Sequence, residues 1–564
     1  MTRKSKKTEK EVKKAGKLKV IMLGGLAEIG KNLAVLEYEN EMIVVDCGIG
    51  FPDDDMPGID LVIPDFTYLR ENADKLLGVF ITHGHEDHLG AVPYLLKHID
   101  APVFGTKLTC GIIRNKLLET DLGYEPEIVP VEAGDTVKVG QFSVEFIRVN
   151  HSIADACCLA IRTPAGTVMH SGDFKVDTTP IDGEIIDLNR ISQIGNEGVL
   201  LFMCESTNVE HPGYTPSEKT VGGAFDAIFR QNAGKRMIIS TFSSNVHRVQ
   251  QIIDISIRYR RKVAITGRSM LNIVAAAVDL GYMSFPEGTL IDISEIKKYN
   301  PGQLTIIATG AQGEPMSALY RMVFGEHDKV TLGKDDLVIL SAHTIPGNEK
   351  TVDRIINELY RTGIAVWRDP YADVHVSGHA CREEIKLMHA LVRPKYFMPI
   401  HGEYKHLCLH GKLAEEMGMP SSRIFISEIG RVLELSEEEA AFTGSVPAGV
   451  TLIDGSGVGD VGSAVLRDRK HLSSDGLIVI TAAVSAHGEL IGGPEITTRG
   501  FVYVKESEDF LEELRGVAVS ALYDALRTAR DAAQIKSRMK EDVSRAVYAR
   551  TKRRPMVLPI ILYV

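Results

Sequence analysis

Four side chains of metal-ligand type fall within six residues of THGHEDHLG: His83, His85, Asp87 and His88. The segment follows the apolar run LLGVFI and precedes the helical AVPYLLKH, so a strand is expected to feed it and a helix to carry its end. Imidazole and carboxylate are the ligands that borderline divalent ions such as Zn2+ or Mn2+ accept. If strand geometry persists, His83 and His85 point the same way and form one claw. Asp87 and His88 enter the next helix turn and form a second. One tight turn then supplies half-shells for two metals, and the fold must bring the other ligands to the same rim.

The chain offers those ligands where strands end. FSVEFIRVNH alternates like a strand and closes on His151, GTVMHSGD runs to Asp173, VLLFMCE to Glu205 and KYFMPIH to His401. A further strand-like piece, ADVHVSGH, delivers His375 and His379. Side chains at strand ends of an α/β sheet converge on one rim, where sites form. From Leu18 onward, short apolar runs alternate with helical stretches, the pattern of an α/β layered domain. Between about 220 and 365 the units lengthen (TVGGAFDAIFRQ, RMIISTF, VHRVQQIIDISIRYR, KVAIT), which predicts a second, doubly wound α/β domain. A turn-rich linker is expected around Phe442–Asp460. Beyond it, LIVITAAV, GFVYV and a long helical stretch over Asp509–Ala533 predict a small α+β domain.

Several glycine motifs carry less. GGLAEIG lacks the dinucleotide spacing and is followed by another strand, so it reads as a strand–turn–strand crossing. TGAQGEP and DGSGVGD lack the P-loop lysine and read as loops. Ser243, Ser244 and Asn245 in TFSSN stand at a strand end, either as a phosphate pocket or as a helix N-cap. Asp60 in PGID and Asp454 in DGSG either meet around a structural Ca2+, with the Gly58 carbonyl, or cap their own turns.

The seven cysteines are scattered and form no CxxC pair, which excludes a disulfide framework and a Cys-type zinc site and fits a reduced, cytoplasmic protein. No run of about 18 apolar residues is present, and the basic N-terminus lacks the apolar core of a secretory signal.

Taken together, HxHxDH, VVDCGIGFP, PGIDLVIPD, HSGDFK, CESTN, TGAQGEPMSAL, IPGNE, HVSGHA and PIHGE resemble the bacterial ribonuclease J family, β-CASP nucleases on the metallo-β-lactamase fold. The resemblance runs from about Leu18 to the C-terminus. It departs from the family pattern at His343 in SAHTIPGNE. It implies a metallo-β-lactamase αββα sandwich with an inserted β-CASP α/β domain and a small α+β C-terminal domain. The expected organisation is a disordered basic tail over 1–16, the first part of the sandwich over 17–220, and the β-CASP domain over 221–370. The second part of the sandwich follows over 371–445, then a linker over 446–463 and the C-terminal domain over 464–564.

The resemblance also implies the roles. His83, His85 and His151 would bind one metal, Asp87, His88 and His401 the other, with Asp173 bridging two Zn2+ (Mn2+ or Mg2+ as alternatives). Two such ions polarise a shared water, and the resulting hydroxide attacks phosphorus in line. His379, held and charged by Glu205, would serve the leaving 3′-oxygen, so His379, Glu205 and Asp87 carry the catalysis. His375, Val376, Ser377, Gly378 and His379 would bind substrate. The implied activity is 5′→3′ exonuclease, preferring a 5′-monophosphate, and endonuclease on single-stranded RNA, in mRNA decay and rRNA maturation. Implied partners are RNA, a second or fourth copy of the chain, and proteins of an RNA-degradation complex.

Two rivals stay open at this level. One is a small-molecule metallo-hydrolase on the same fold; the other is a non-catalytic RNA-processing scaffold. The net charge of −11 (64 Lys and Arg against 75 Asp and Glu) speaks against an extended RNA coat, but a global sum says little about a channel in which two dications sit. Lys175, Arg248 and Arg268 are expected to line that channel. Because few phosphates are neutralised at once, RNA affinity measured against salt should fall with a log–log slope of magnitude below about 5. A steeper slope would reveal an extended basic tract.

Overall fold

The computed structural model describes residues 16–564, except 54, 346, 370–371, 486, 488, 503–507 and 529–530. The basic tail expected over 1–16 lies outside the described residues apart from Gly16, whose N–H donates to Tyr38 Oη.

Two sheets carry the first body. One has eight strands in the order Ala440–Ser445, Arg431–Leu435, Leu18–Gly24, Leu33–Tyr38, Glu41–Val45, Leu76–Phe80, Val103–Thr106, Ile128–Val131. The other has six, in the order Tyr396–Ile400, Leu201–Glu205, Gly166–His170, Cys157–Thr163, Phe142–Arg148, Thr136–Val139. Their alternating apolar residues sort by face. Leu18, Val20, Met22 and Phe80 meet Phe146, Leu159, Leu201, Met203 and Met398 between the sheets. The intervening residues Ile147, Cys158, Phe202, Cys204 and Phe397 turn the other way. They pack under residues of the helices Leu188–Glu197, Arg382–Val392 and Tyr404–Glu416, such as Ile191, Met388 and Leu413. This is the metallo-β-lactamase sandwich, helix layer on sheet.

The insertion leaves after Leu201–Glu205 and returns at Tyr396–Ile400, the neighbouring parallel strand. Its own sheet is parallel throughout: Leu290–Ile291, Lys262–Thr266, Leu304–Ala308, Arg236–Ser240, Asp336–Leu340, Ala365–Arg368. Parallel strands are buried on both faces, so they read as continuous apolar runs such as RMIIS and LTIIA. GGLAEIG is the turn between two antiparallel strands, with Lys31 and Gly25 at positive φ.

A separate compact unit joins Pro52–Leu61 to Leu452–Val564. Its sheet runs Leu490–Arg499, Leu477–Val484, Met556–Tyr563, covered by the helices Glu508–Thr528 and Ala532–Thr551. The single helical stretch expected over Asp509–Ala533 is therefore two helices. Asp531 starts the second by accepting the Gln534 N–H at 2.8 Å, the local hydrogen bond that favours a new N-terminus over continuation. The segment 446–463 is likewise more than a linker. Strands Val450–Asp454 and Gly457–Val458 lie in it, and Ile453 pairs with Val458. The two-residue loop of Gly455 and Ser456, with Gly455 at φ +57°, makes the tight turn that joins them. Among the described residues no helix is long and apolar enough to cross a membrane.

Candidate metal centre and substrate loop

In the six-stranded sheet, Phe142–Arg148, Gly166–His170, Leu201–Glu205 and Tyr396–Ile400 all run the same way, with Cys157–Thr163 antiparallel among them. Their ends deliver His151, Asp173, Glu205 and His401 to one rim. In the facing sheet the parallel strands Glu41–Val45 and Leu76–Phe80 end at Asp46 and Thr82, just before His83. Backbone bonds clamp the ligand turn: Cys47 N–H donates to His88 O, Ile49 N–H to Glu86 O and Asn32 N–H to Asp87 O. Gly48 lies so close that a Cβ there would stand 1.6 Å from Asp87 O, so only glycine fits.

Two clusters of ligand atoms share one oxygen. His83 Nε2 and His151 Nε2 stand 3.1 and 3.0 Å from His85 Nδ1, and 3.6 and 3.8 Å from Asp173 Oδ2. On the other side Asp87 Oδ2 is 3.2 Å from His401 Nε2 and 3.5 Å from His88 Nε2, which lie 3.4 and 3.2 Å from the same Asp173 Oδ2. A tetrahedral ion with bonds of about 2.0–2.1 Å needs ligand atoms about 3.3 Å apart. The distances above, 3.0–3.8 Å, scatter about that spacing. Asp173 is 1% exposed, and neither carboxylate oxygen has a hydrogen-bond donor. A buried carboxylate with a nitrogen from each of four ligand imidazoles around one oxygen fits bound divalent cations.

Four of the five ligand imidazoles are also held from behind. His88 Nδ1 lies 2.8 Å from Asp46 Oδ2, His83 Nδ1 3.0 Å from Thr82 Oγ1, His401 Nδ1 3.1 Å from Thr207 Oγ1 and His151 Nδ1 2.7 Å from Gly378 O. Such partners fix tautomer and ring orientation. Asp46 in turn accepts the Thr82 N–H at 2.8 Å. Burial lowers the His83 and His151 pKa and brings His85 to about 4, so these rings are neutral. Burial would also lower His401, but Asp173 and Asp87 outweigh it and hold His401 up at about 10. Asp46 and His401 adopt left-handed backbone, φ +60° and +51°. For non-glycine residues this strain costs about 1–3 kcal/mol and clusters at functional sites.

Beside the clusters, His379 Nδ1 is 2.8 Å from Glu205 Oε2 and 3.8 Å from Asp173 Oδ2. Glu205 Oε1 accepts the Phe174 N–H at 2.9 Å, which fixes the carboxylate. Burial lowers the His379 pKa, yet Glu205 and Asp173 more than offset it and the net shift is upward. The loop 375–379 is tied down through its carbonyls: Gly378 O to His151, His379 O to Asn208 Nδ2 at 3.1 Å and to Thr215 Oγ1 at 2.7 Å. Ser377 Oγ accepts from Asn208 Nδ2 at 2.9 Å. A Cβ on Gly378 would stand 2.7 Å from His151, so the loop approaches the ligand as only glycine can.

Other expectations fare differently. Asn245 caps the helix Val246–Arg258, its Oδ1 accepting the Arg248 N–H at 3.0 Å, so that oxygen is committed to the helix; Ser243 and Ser244 before it are half-buried. Arg248 is wholly buried and ion-paired to Glu218, and Lys175 is 2% exposed beside Asp177, so neither is a free groove cation. Arg268 does stand exposed, at the start of the helix Arg268–Asp279. His170 accepts the Gly172 N–H at 3.1 Å and joins neither cluster. Exposed His343 pairs with Asp369 at 3.1 Å. At the expected Ca2+ site the three groups have other partners. Gly58, Asp60 and Asp454 come close, but the Arg469 guanidinium bonds both the Asp454 carboxylate and Gly58 O, while Asp60 Oδ2 accepts the Gly455 N–H at 2.7 Å.

Asp46, Thr82, Thr207 and the Gly378 carbonyl were not anticipated. Asp46 had a signal, an acid directly after the apolar strand EMIVV, and Thr82 directly precedes His83. Nothing local marks Thr207 or the Gly378 carbonyl.

Comparison with known proteins agrees with this architecture. Residues 28–201 match the metallo-beta-lactamase superfamily, 234–359 the ribonuclease J beta-CASP domain, 371–426 the Zn-dependent metallo-hydrolase RNA specificity domain and 464–564 the ribonuclease J C-terminal domain. The chain is 44% identical to "Ribonuclease J" of Synechocystis sp. over 88% of this chain and 77% of the relative. It is 40% identical to "Ribonuclease J 1" of Streptococcus pyogenes over 97% of this chain and 98% of the relative. With "Ribonuclease J" of Thermus thermophilus the identity is 41% over 97% and 95%. A solved Enterococcus faecalis protein of unknown function shares the fold at 18% identity and a TM-score of 0.53, over 74% of this chain and all of that one.

The Asp46 contact makes a direct prediction. Asp46→Asn should keep the fold but lower metal affinity by about 10–100-fold, as loss of a ligand's carboxylate partner does. Equilibrium dialysis against a competing chelator measures it, and unchanged affinity would remove Asp46 from the metal centre.

Proposed function

The chain belongs to the ribonuclease J family and is a metal-dependent ribonuclease that binds RNA, and from that premise we propose how its residues divide the work. His83, His85 and His151 would hold one divalent ion and Asp87, His88 and His401 a second, with Asp173 common to both sets; Zn2+ would suit the imidazole-rich donor set, with Mn2+ or Mg2+ as alternatives. Bound there, the ions supply Lewis acidity to the scissile phosphate and acidify water. The observation that carries the reading is the Glu205–His379 pair, 2.8 Å apart beside the bridging carboxylate.

Hydrolysis adds water oxygen to phosphorus and breaks the P–O3′ bond, so the leaving 3′-oxygen must take up a proton. His379 gives it. Its Nδ1 is engaged by Glu205, which leaves Nε2 as the donor and stabilises the charged ring. The loop His375–Gly378 binds the RNA backbone, and the anchoring of Val376 O by Arg248 Nη2 at 3.3 Å supports that role, since in a trans peptide the Ser377 N–H turns the opposite way. Ser243 and Ser244 stand as a weaker phosphate contact.

The activity so built is 5′→3′ exonuclease with a 5′-monophosphate preference, together with endonuclease on single-stranded RNA, serving mRNA decay and rRNA maturation in the cytoplasm. The chain works as a homodimer or homotetramer, a reading supported by the exposed row Leu558, Ile560 and Leu562 on its last strand. Proteins of an RNA-degradation complex are its further partners.

End-labelled RNA carrying either a 5′-monophosphate or a 5′-triphosphate, with and without chelator, tests the activity. Mononucleotides should appear only from the monophosphate form and only with metal; cleavage of a chromogenic lactam or thioester with no cut in RNA would reverse the reading. His379→Ala should retain its metal and lose about 10²–10⁴-fold in kcat. A variant within threefold of the parent would end the proton-donor role.

A further inference from the structure

Arg248 is the largest fully buried side chain of the protein's described residues, on the inserted-domain helix Val246–Arg258. All five of its N–H groups are engaged. Nε and Nη2 donate to Glu218 Oε1 and Oε2, each at 2.7 Å, a bidentate pair. Nη1 donates to Ser341 O at 2.9 Å and to His375 Nδ1 at 2.8 Å. The remaining Nη2 bond goes to Val376 O at 3.3 Å.

Two consequences follow for the loop. A guanidinium only donates, so His375 Nδ1 must accept, and the ring proton is placed on Nε2. Tying Val376 O to Arg248 turns the Ser377 N–H away from the buried guanidinium. Ser341, whose carbonyl Arg248 also holds, donates its hydroxyl to Val374 O at 2.6 Å and so braces the residues before the loop. We propose that Arg248 is a positioning residue for RNA: from the inserted domain it sets the shape of the His375–His379 loop and fixes the Nε2–H tautomer of His375. The groups facing His375 agree with a neutral ring. Burial first, then Arg248, His343 and Lys175 bring its pKa to about 2. The accepting Nδ1 and this downward shift together describe a neutral His375 ring with its proton on Nε2.

This inference rests on the loop's RNA-binding role, and the experiment separates the two. Arg248→Lys keeps the charge but offers three donors in place of a planar fork. Glu218→Gln with Arg248→Met removes the buried ion pair as a unit, which avoids a stranded charge. Steady-state kinetics on 5′-monophosphorylated single-stranded RNA, with metal content and melting temperature, are read for both beside His375→Ala and Ser377→Ala. The expected result is a KM higher by about tenfold in both Arg248 variants, less in the lysine one, with kcat within about threefold and metal content unchanged. A loop variant with raised KM beside Arg248 variants with unchanged KM overturns the inference alone. Unchanged KM in His375→Ala and Ser377→Ala overturns the loop's RNA role and the inference with it. A parallel fall in kcat, metal content and melting temperature makes Arg248 a purely structural residue and also overturns it.

Discussion

One carboxylate oxygen organises the molecule: Asp173 Oδ2, with a nitrogen from each of four ligand imidazoles, and His379 Nδ1, between 3.2 and 3.8 Å from it. A buried carboxylate without a donor is costly unless cations share its site, and the surrounding fold holds the rings in place regardless. It does so by ending four parallel strands at one rim and by backing those four ligand rings with a carboxylate, hydroxyl or carbonyl. The strain at Asp46 and His401 belongs to the same arrangement, since both residues bend the chain sharply at a strand end to aim a side chain inward. The apolar sandwich beneath, from Leu18 to Met398, is the rigid support against which that strain is kept.

Much of this was legible in the residues. HxHxDH after an apolar run named its own strand and turn, and the strand-end positions of His151, Asp173, Glu205 and His401 followed from alternation. That these side chains gather on one rim follows from the apolar runs plus one rule of sheet topology, whereas their division into two ligand sets was implied by the family resemblance. What escaped depended on meetings between distant segments. Arg248 and Lys175 looked like groove cations because sequence reports charge and not burial; the structure pairs them inside. Asp454 looked like a calcium ligand because Arg469, fifteen residues on, carried no sign that it would fold back. Thr207 and the Gly378 carbonyl act through backbone placement that no side-chain type announces.

The inserted domain is more than a lid on the same logic. Its helix Val246–Arg258 is capped by Asn245 and reaches back through Arg248 to the loop that borders the metal centre. The same loop touches the ligand His151 through Gly378. The loop 375–379, the inserted domain and the candidate ligand His151 are therefore joined by hydrogen bonds over a few residues.

The order of the ligands along the chain has its own consequence. Asp87 and His401 are 314 residues apart, with the entire inserted sheet between them. While a ribosome is still making this protein, the first half-shell is synthesised early, but the strand Tyr396–Ile400 cannot join Leu201–Glu205 until the insertion has passed. On the proposed assignment, a nascent chain that has not yet released His401 has no complete centre. On that assignment, translation must run past the whole insertion before the product can cut any RNA, its own messenger included.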